Sequence, residues 1–478
     1  MPISDVDGYL GNIMSACSAA HGGAVADYIP ELAAVDPTGY ALSLCMHDGY
    51  LYAHGDTDVE FTIQSISKPL TYAMVLGRRG VTDVDARIGV EPSGEAFNEI
   101  SVDDHRRPKN PMINAGAICA TSLLLPARDA TDEAAVRDAF EAIVEFYSEC
   151  AGRRLTMDEE VYASEAATGS RNRAISYMLD SFGVLDTDPD AALDLYYRQC
   201  SLLVTAEDLA VIGATIAGGG VNPRTGREVF SHEAAQRLLS VMATCGMYDG
   251  AGDWLTSVGL PAKSGVGGGI LAALPGQLGI GVYSPLLDGH GNSVRGVDTC
   301  RRLSADLGLH MFNVTRDGLL TIRAVYDVAD QPVDAAWTEW ERSYLRTVRD
   351  RVRVYELQGD LTFAGTESAL RRIRADDDTA DVVIVDISRV GAIDPIARTM
   401  LLHFKQTTDA VGRRVSVIDP DRRVRASVER HRHDTVVPNI AAPEQLRGSD
   451  PTLPDVYTTL AGAVSDAEQF QLKAFRNS

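Results

Sequence analysis

The segment FTIQSISKPL, residues 61–70, brings Ser65, Ser67 and Lys68 together just ahead of an apolar run. The continuation PLTYAMVLGRRG (69–80) spaces its apolar residues as a helix does and stops at Gly80. With a helix starting near Ser65, Ser65 and Lys68 stand one turn apart on a shared face, whereas Ser67 points elsewhere. Pro69 suits a first turn. A serine hydroxyl attacks only when a neighbour takes its proton, and a lysine does so only when burial or nearby positive charge lowers its pKa. The helix N-terminus adds N–H donors for developing negative charge. Ser65 is therefore the candidate nucleophile and Lys68 its candidate base. The plain alternative is a helix start with its lysine in solvent.

A second motif decides between them. GLPAKSGVGGGI (259–270) carries Lys263-Ser264-Gly265. Penicillin-recognising enzymes pair S-x-x-K with a K-[ST]-G strand that lines the site. The backbone N–H groups of Ser65 and of Val266 could then form an oxyanion hole. A phosphate loop is excluded, because its lysine closes the glycine run rather than preceding it. Together with VADYIPELA (25–33), NPMINAGAI (110–118), SEAATGSRNRAISYML (164–179), LYYRQCS (195–201) and CGMYDGAGDW (245–254), these segments make seven ordered motifs. In that order they resemble the serine-dependent glutaminases, relatives of the β-lactamase fold; Pro69 replaces the branched apolar residue expected after the lysine.

The resemblance implies hydrolysis of L-glutamine through a Ser65 glutamyl ester with Lys68 as base. It implies Tyr28 and Tyr248 at the reaction centre, with Tyr248 relaying a proton. It implies an oxyanion hole at Ser65 and Val266, and Asn114, Glu165, Asn172 and Tyr196 on the α-amino and α-carboxylate groups. No metal or organic cofactor is implied, and a homo-oligomer, dimer or tetramer, is. The rival functions are a penicillin-recognising peptidase or β-lactamase, and a non-catalytic regulatory scaffold.

The chain has 478 residues, 45% hydrophobic and 23% charged, which suggests two to three globular domains. A net charge of −23 argues against nucleic acid as a partner. The first residues lack a basic region followed by an apolar run, and no stretch is long and apolar enough to span a membrane, so a cytoplasmic location is expected. The seven cysteines, Cys17 to Cys300, are widely spaced with no CxxC pair, which predicts buried reduced thiols.

An α/β multidomain chain follows from the patterning. In residues 1–308, GYALSLCMHDGYLYAHGD reads as a hairpin about Asp48-Gly49 and GILAALPGQLGIGVYSP as another about Pro275-Gly276. Helical segments lie between them, so an antiparallel sheet closed by both ends of the domain, plus a helical cluster, is expected. Residues 309–350 read as a connector with Trp337, Trp340 and Tyr344 on one helical face. From 351 to 462 strands and helices alternate, as in a small α/β sheet domain, with ADVVIVDIS as its central strand. GDLTFAG, VVIVDISRVGAIDPIARTML and AVGRRVSVID resemble STAS domains. Where regulatory members carry Asp-Ser-Ser-Gly, this chain has Asp394-Pro395-Ile396-Ala397. A phosphorylation switch of that form is excluded, leaving protein docking, small-ligand sensing or oligomerisation. Residues 463–478 read as a tail. His431 and His433 read as a solvated helix end, not a metal site.

Overall fold

The computed structural model describes residues 6–20, 22–94, 101–313, 321–375, 380–426 and 455–476, so His431 and His433 lie outside the described residues. The chain divides into two compact units, Met1–Asn313 and Val314–Ser478.

The first unit is built on a five-stranded antiparallel sheet. Its strands are β1 (Ala41–Met46), β2 (Leu51–Gly55), β5 (Ala262–Ser264), β6 (Gly269–Leu274) and β7 (Leu278–Tyr283), in the order β2-β1-β7-β6-β5. Both hairpins fall where the turn residues put them, with Cys45 opposite Leu51 and Leu274 opposite Leu278. The N-terminal helix Val6–Ser18 and the late helix Val294–Leu307 share one apolar cluster on this sheet, so the two ends of the unit do close it. Helix Ala206–Ala217 packs against β7, with no room for side chains between them. A Cβ on Gly279 would lie 2.1 Å from the Ala214 nitrogen, and one on Gly281 would lie 2.0 Å from the Ala206 oxygen.

Most of the remaining helices pack into a larger core on the other face of the sheet, which also takes in Ala41, Leu271, Ala273 and Tyr283. Their ends follow local chemistry. Helix Glu133–Ala151 is capped by Asp132, whose side chain accepts the Ala135 N–H, and stops at left-handed Gly152. Ser231 caps His232–Cys245 in the same way. A short antiparallel ribbon, β3 (Phe61–Thr62) with β4 (Leu203–Val204), ties the FTIQSISKPL segment to this cluster. All seven cysteines are buried and free.

The second unit has a five-stranded sheet in the order β12-β11-β10-β9-β8. Strands β9 (Val352–Leu361), β10 (Val382–Ile393), β11 (Arg414–Ile418) and β12 (Val456–Tyr457) are parallel, with β10 in the centre. Two stretches differ from their sequence reading. The connector contributes β8 (Ile322–Asp327), an antiparallel edge strand on β9. The tail is helix Leu460–Arg476, with Ala463, Ala467 and Leu472 buried. Helix Glu339–Val348, opened by a Thr338–Glu341 capping box, brings Tyr344 onto the Phe475 ring at 3.9 Å. Trp337 precedes that helix, and its indole N–H donates to Glu468 Oε2 at 2.7 Å. Glu468 also pairs with Arg349 at 2.9 Å, both side chains almost fully buried.

Candidate active site

Ser65 sits on a 3-10 turn, Gln64–Ile66, that runs directly into helix Ser67–Arg79. The helix therefore begins two residues later than its spacing suggested, and Ser65 stands on the bend before it. The turn is anchored by the Ile63 N–H, which donates to the Leu202 carbonyl at 2.8 Å. Gln64 holds a left-handed φ of 49°, a conformation that costs energy for a residue with a Cβ. Tyr248, on a second 3-10 turn, Tyr248–Gly250, holds φ of 55°. A side-chain hydrogen bond joins Ser65 and Tyr248.

Lys68 is 1% exposed and donates from Nζ to Asn114 Oδ1 at 2.6 Å. Burial lowers its pKa to about 7. Asn114 opens helix Asn114–Ser122 and passes the contact on, its Nδ2 donating to Asn172 Oδ1 at 2.8 Å. The Tyr196 hydroxyl lies 3.4 Å from the same Asn114 oxygen. Tyr196 comes from helix Pro189–Cys200, capped by Asp188.

Glu165, buried on helix Glu159–Thr168, accepts the Tyr28 hydroxyl at 2.7 Å. Burial raises the Glu165 pKa, and hydrogen bonds from Tyr28 and Gln64 oppose the rise. Tyr28 is 47% exposed overall, yet its hydroxyl is turned onto the acid. Burial around that hydroxyl and the Glu165 charge hold it well above the ordinary tyrosine pKa. Val266 packs with Ile29, Leu32 and Val161, between the Tyr28 segment and the Glu165 helix.

The residues singled out from the sequence thus converge in linked groups. Ser65 meets Tyr248; Lys68, Tyr196 and Asn172 meet Asn114; Tyr28 meets Glu165. One further residue belongs with them. Lys263 is fully buried on β5, and its Nζ lies 3.8 Å from the Tyr248 ring centroid while donating to the Ser264 carbonyl at 2.6 Å. Lys68 Nζ lies 5.5 Å from the same centroid. Burial, then the Lys68 charge, holds Lys263 well below the ordinary lysine pKa. Its K-S-G motif was the signal for it. Gln64 had no such signal, since its reach toward Glu165 depends on a backbone angle that a sequence does not display.

This arrangement holds the Ser65 hydroxyl on Tyr248, a lysine that can be neutral near pH 7 further along the same short segment, and a buried acid beside amide and hydroxyl groups. It suits a small substrate carrying one ammonium, one carboxylate and an electrophilic carbon. Among the described residues no group of three or more His, Cys, Asp or Glu is placed to hold a metal ion. No described helix is long and apolar enough to cross a membrane.

Comparison with known proteins agrees with both units. The glutaminase family model matches residues 23–312 and the STAS domain model residues 344–445. Glutaminase 1 of Bradyrhizobium diazoefficiens is 47% identical over 382 residues, 80% of this chain and 61% of that protein. The chain thus spans less than two thirds of the length of this relative, and 60% of Glutaminase 2 from the same organism. The glutaminase of Corynebacterium glutamicum is 42% identical over 422 residues, 88% of this chain and 95% of its own. Among solved structures, Mglu gives a TM-score of 0.74 at 41% identity, covering 88% of this chain and 99% of its own. Mglu in its glutamate form gives 0.73 at 39%, with the same coverage. By its sequence, its two folds and these relatives, the chain belongs to the glutaminase family and carries a STAS domain after its β-lactamase-like unit.

Proposed function

We propose that this chain hydrolyses L-glutamine to L-glutamate and ammonia through a glutamyl ester on Ser65. The observation that carries the reading is Ser65, hydrogen-bonded to Tyr248, on the same short segment as a fully buried Lys68 whose pKa burial brings to about 7. At neutral pH about half of such lysines are unprotonated, so Lys68 can accept a proton without a metal or a histidine.

In the forward reaction Ser65 Oγ attacks the side-chain amide carbon and its proton passes to Lys68 Nζ. The oxyanion is held by the backbone N–H groups of Ser65 and Val266. As the C–N bond breaks, the leaving nitrogen takes a proton through Tyr248 and departs as ammonia. Water then attacks the ester, glutamate is released, and Ser65 regains its proton. Glu165, with Tyr28, faces the substrate ammonium. Asn114, Asn172 and Tyr196 serve the α-carboxylate, and Asn114 also steadies Lys68. The family supports glutamine as substrate, and glutamate is named in the form in which Mglu was solved.

We further propose that the machinery belongs to residues 1–308, and that the STAS domain docks a protein partner or a small ligand. We expect a cytoplasmic dimer or tetramer, to be checked by fractionation and by light scattering on the full chain.

The test is ammonia and glutamate release from L-glutamine by the parent and by Ser65→Ala. Release that vanishes in the variant supports the reading. Release that survives removes Ser65 from the mechanism. Turnover of a chromogenic β-lactam without ammonia release from glutamine points to the penicillin-recognising alternative, and inactivity on both to a scaffold. Asparagine is expected to react ~100-fold more slowly, because one missing methylene withdraws the amide from Ser65 by ~1 Å.

A further inference from the structure

The second serine of FTIQSISKPL takes no part in the reaction above, yet it is densely hydrogen-bonded. Ser67 is fully buried, and its Oγ donates to the Gln64 carbonyl at 2.7 Å. The Ser67 backbone N–H reaches that same carbonyl. The Gln199 side-chain amide lies 3.2 Å from Ser67 Oγ and 2.6 Å from Thr71 Oγ1. The Tyr147 hydroxyl donates to the Ser67 carbonyl at 2.7 Å and lies 2.6 Å from Thr71 Oγ1. Ser67, Thr71, Tyr147 and Gln199 are each 0–1% exposed. A polar network this deep is retained only where its members satisfy one another.

What it fixes follows from peptide geometry. The Gln64 carbonyl and the Ser65 N–H belong to one planar unit and point in opposite directions. Two donors clamp the carbonyl on the core side, so the Ser65 N–H is aimed toward the opposite side, away from that network. Gln64 is also the residue held at φ of 49°, and nothing in its own chemistry favours that angle.

We propose that Ser67, held in turn by Gln199, is a positioning residue whose hydroxyl clamps the Gln64–Ser65 peptide and so aims the Ser65 N–H at the developing oxyanion. The inference rests on the serine mechanism proposed above and adds to it a residue that never touches substrate. An oxyanion donor acts in the transition state and not on bound substrate, so losing its alignment lowers kcat and spares KM.

The test is steady-state glutamine hydrolysis by full-length Ser67→Ala and Ser67→Cys, with Tm and circular dichroism alongside. Ser67→Ala is expected to lower kcat by ~30- to 100-fold, at or below the ~100-fold of ~1 Å misplacement or outright oxyanion-donor loss because the Ser67 backbone N–H still holds the carbonyl, with KM within about twofold. Ser67→Cys, which keeps the volume and a weak donor, is expected to recover part of that loss. Gln199→Met is the second probe should Ser67→Ala fail to fold, with a smaller loss of the same kind expected. A folded Ser67→Ala with parental kcat overturns the proposal. So does a kcat loss matched by an equal rise in KM, or a Gln199→Met with unchanged kcat. Should the parent release no ammonia from glutamine, the glutaminase reading falls separately. The clamp is then read from a crystal structure of Ser67→Ala, where an unchanged orientation of the Gln64–Ser65 peptide would overturn it.

Discussion

Replacing Lys68 with methionine isolates the charge on which the chemistry depends. Lys68 is fully buried, and its pKa falls from 10.5 to about 7 because burial penalises the ammonium. The folded state therefore binds this proton less tightly than the unfolded chain does. The resulting penalty on stability is full below pH 7, shrinks as pH rises toward 10.5, and is absent above that. At pH 6 it amounts to about 5 kcal/mol at most, and at pH 9 to about 2 kcal/mol. The methionine loses the Lys68–Asn114 hydrogen bond, which returns about 1–3 kcal/mol independently of pH across this range. Because the Lys68 charge is one cause of the depressed Lys263, the methionine also relieves Lys263 in part, which adds to the variant's gain at low pH. Denaturant titrations of full-length parent and Lys68→Met at pH 6, 7.5 and 9, followed by circular dichroism, should show the variant gaining on the parent most at pH 6. That advantage should decline by about 3 kcal/mol by pH 9, while the parent's kcat/KM climbs through a limb near pH 7. A stability difference that does not change with pH, or that grows toward pH 9, would refute a depressed Lys68.

Tyr248→Phe keeps the ring that faces Lys263 but removes the hydroxyl bonded to Ser65, so kcat should fall by ~100-fold or more in an ammonia assay while Tm holds. Gly279→Ala drives a Cβ to 2.1 Å from backbone, which helix Ala206–Ala217 can relieve only by lifting off β7; a loss of about 3 kcal/mol is expected in denaturant titration. Glu468→Leu strands the buried Arg349 and should cost about 3–5 kcal/mol in the second unit, whereas the double change Arg349→Leu/Glu468→Leu should regain most of it.

What could be foreseen in this chain was local. Gly80 ended its helix because a positive-φ stop acts within one turn, and the Asp48-Gly49 and Pro275-Gly276 turns fixed their hairpins for the same reason. The candidate site residues could be named because motifs keep chemistry in short windows. What escaped was long-range or conformational. Ser67 and Gln199 are 132 positions apart, and each looks ordinary in its own segment. Strand β8 alternates partly exposed positions on a sheet edge, so IRAVYD lacks the continuous apolar run that marked β10. Helix Leu460–Arg476 looked like a tail because its apolar face has meaning only against the sheet it covers.

Gln64 and Tyr248 both hold left-handed backbone that glycine would adopt at no cost. This sets folding and turnover against each other at Gln64, directly before the nucleophile. A library ranked for heat resistance would gain stability from glycine at 64 at the expense of turnover, whereas at 248 the cavity left by the buried tyrosine would outweigh the strain relieved. The converse also holds: in thermostabilising this scaffold, these two sites are the ones to leave untouched, and gains should be sought on the helical surface instead.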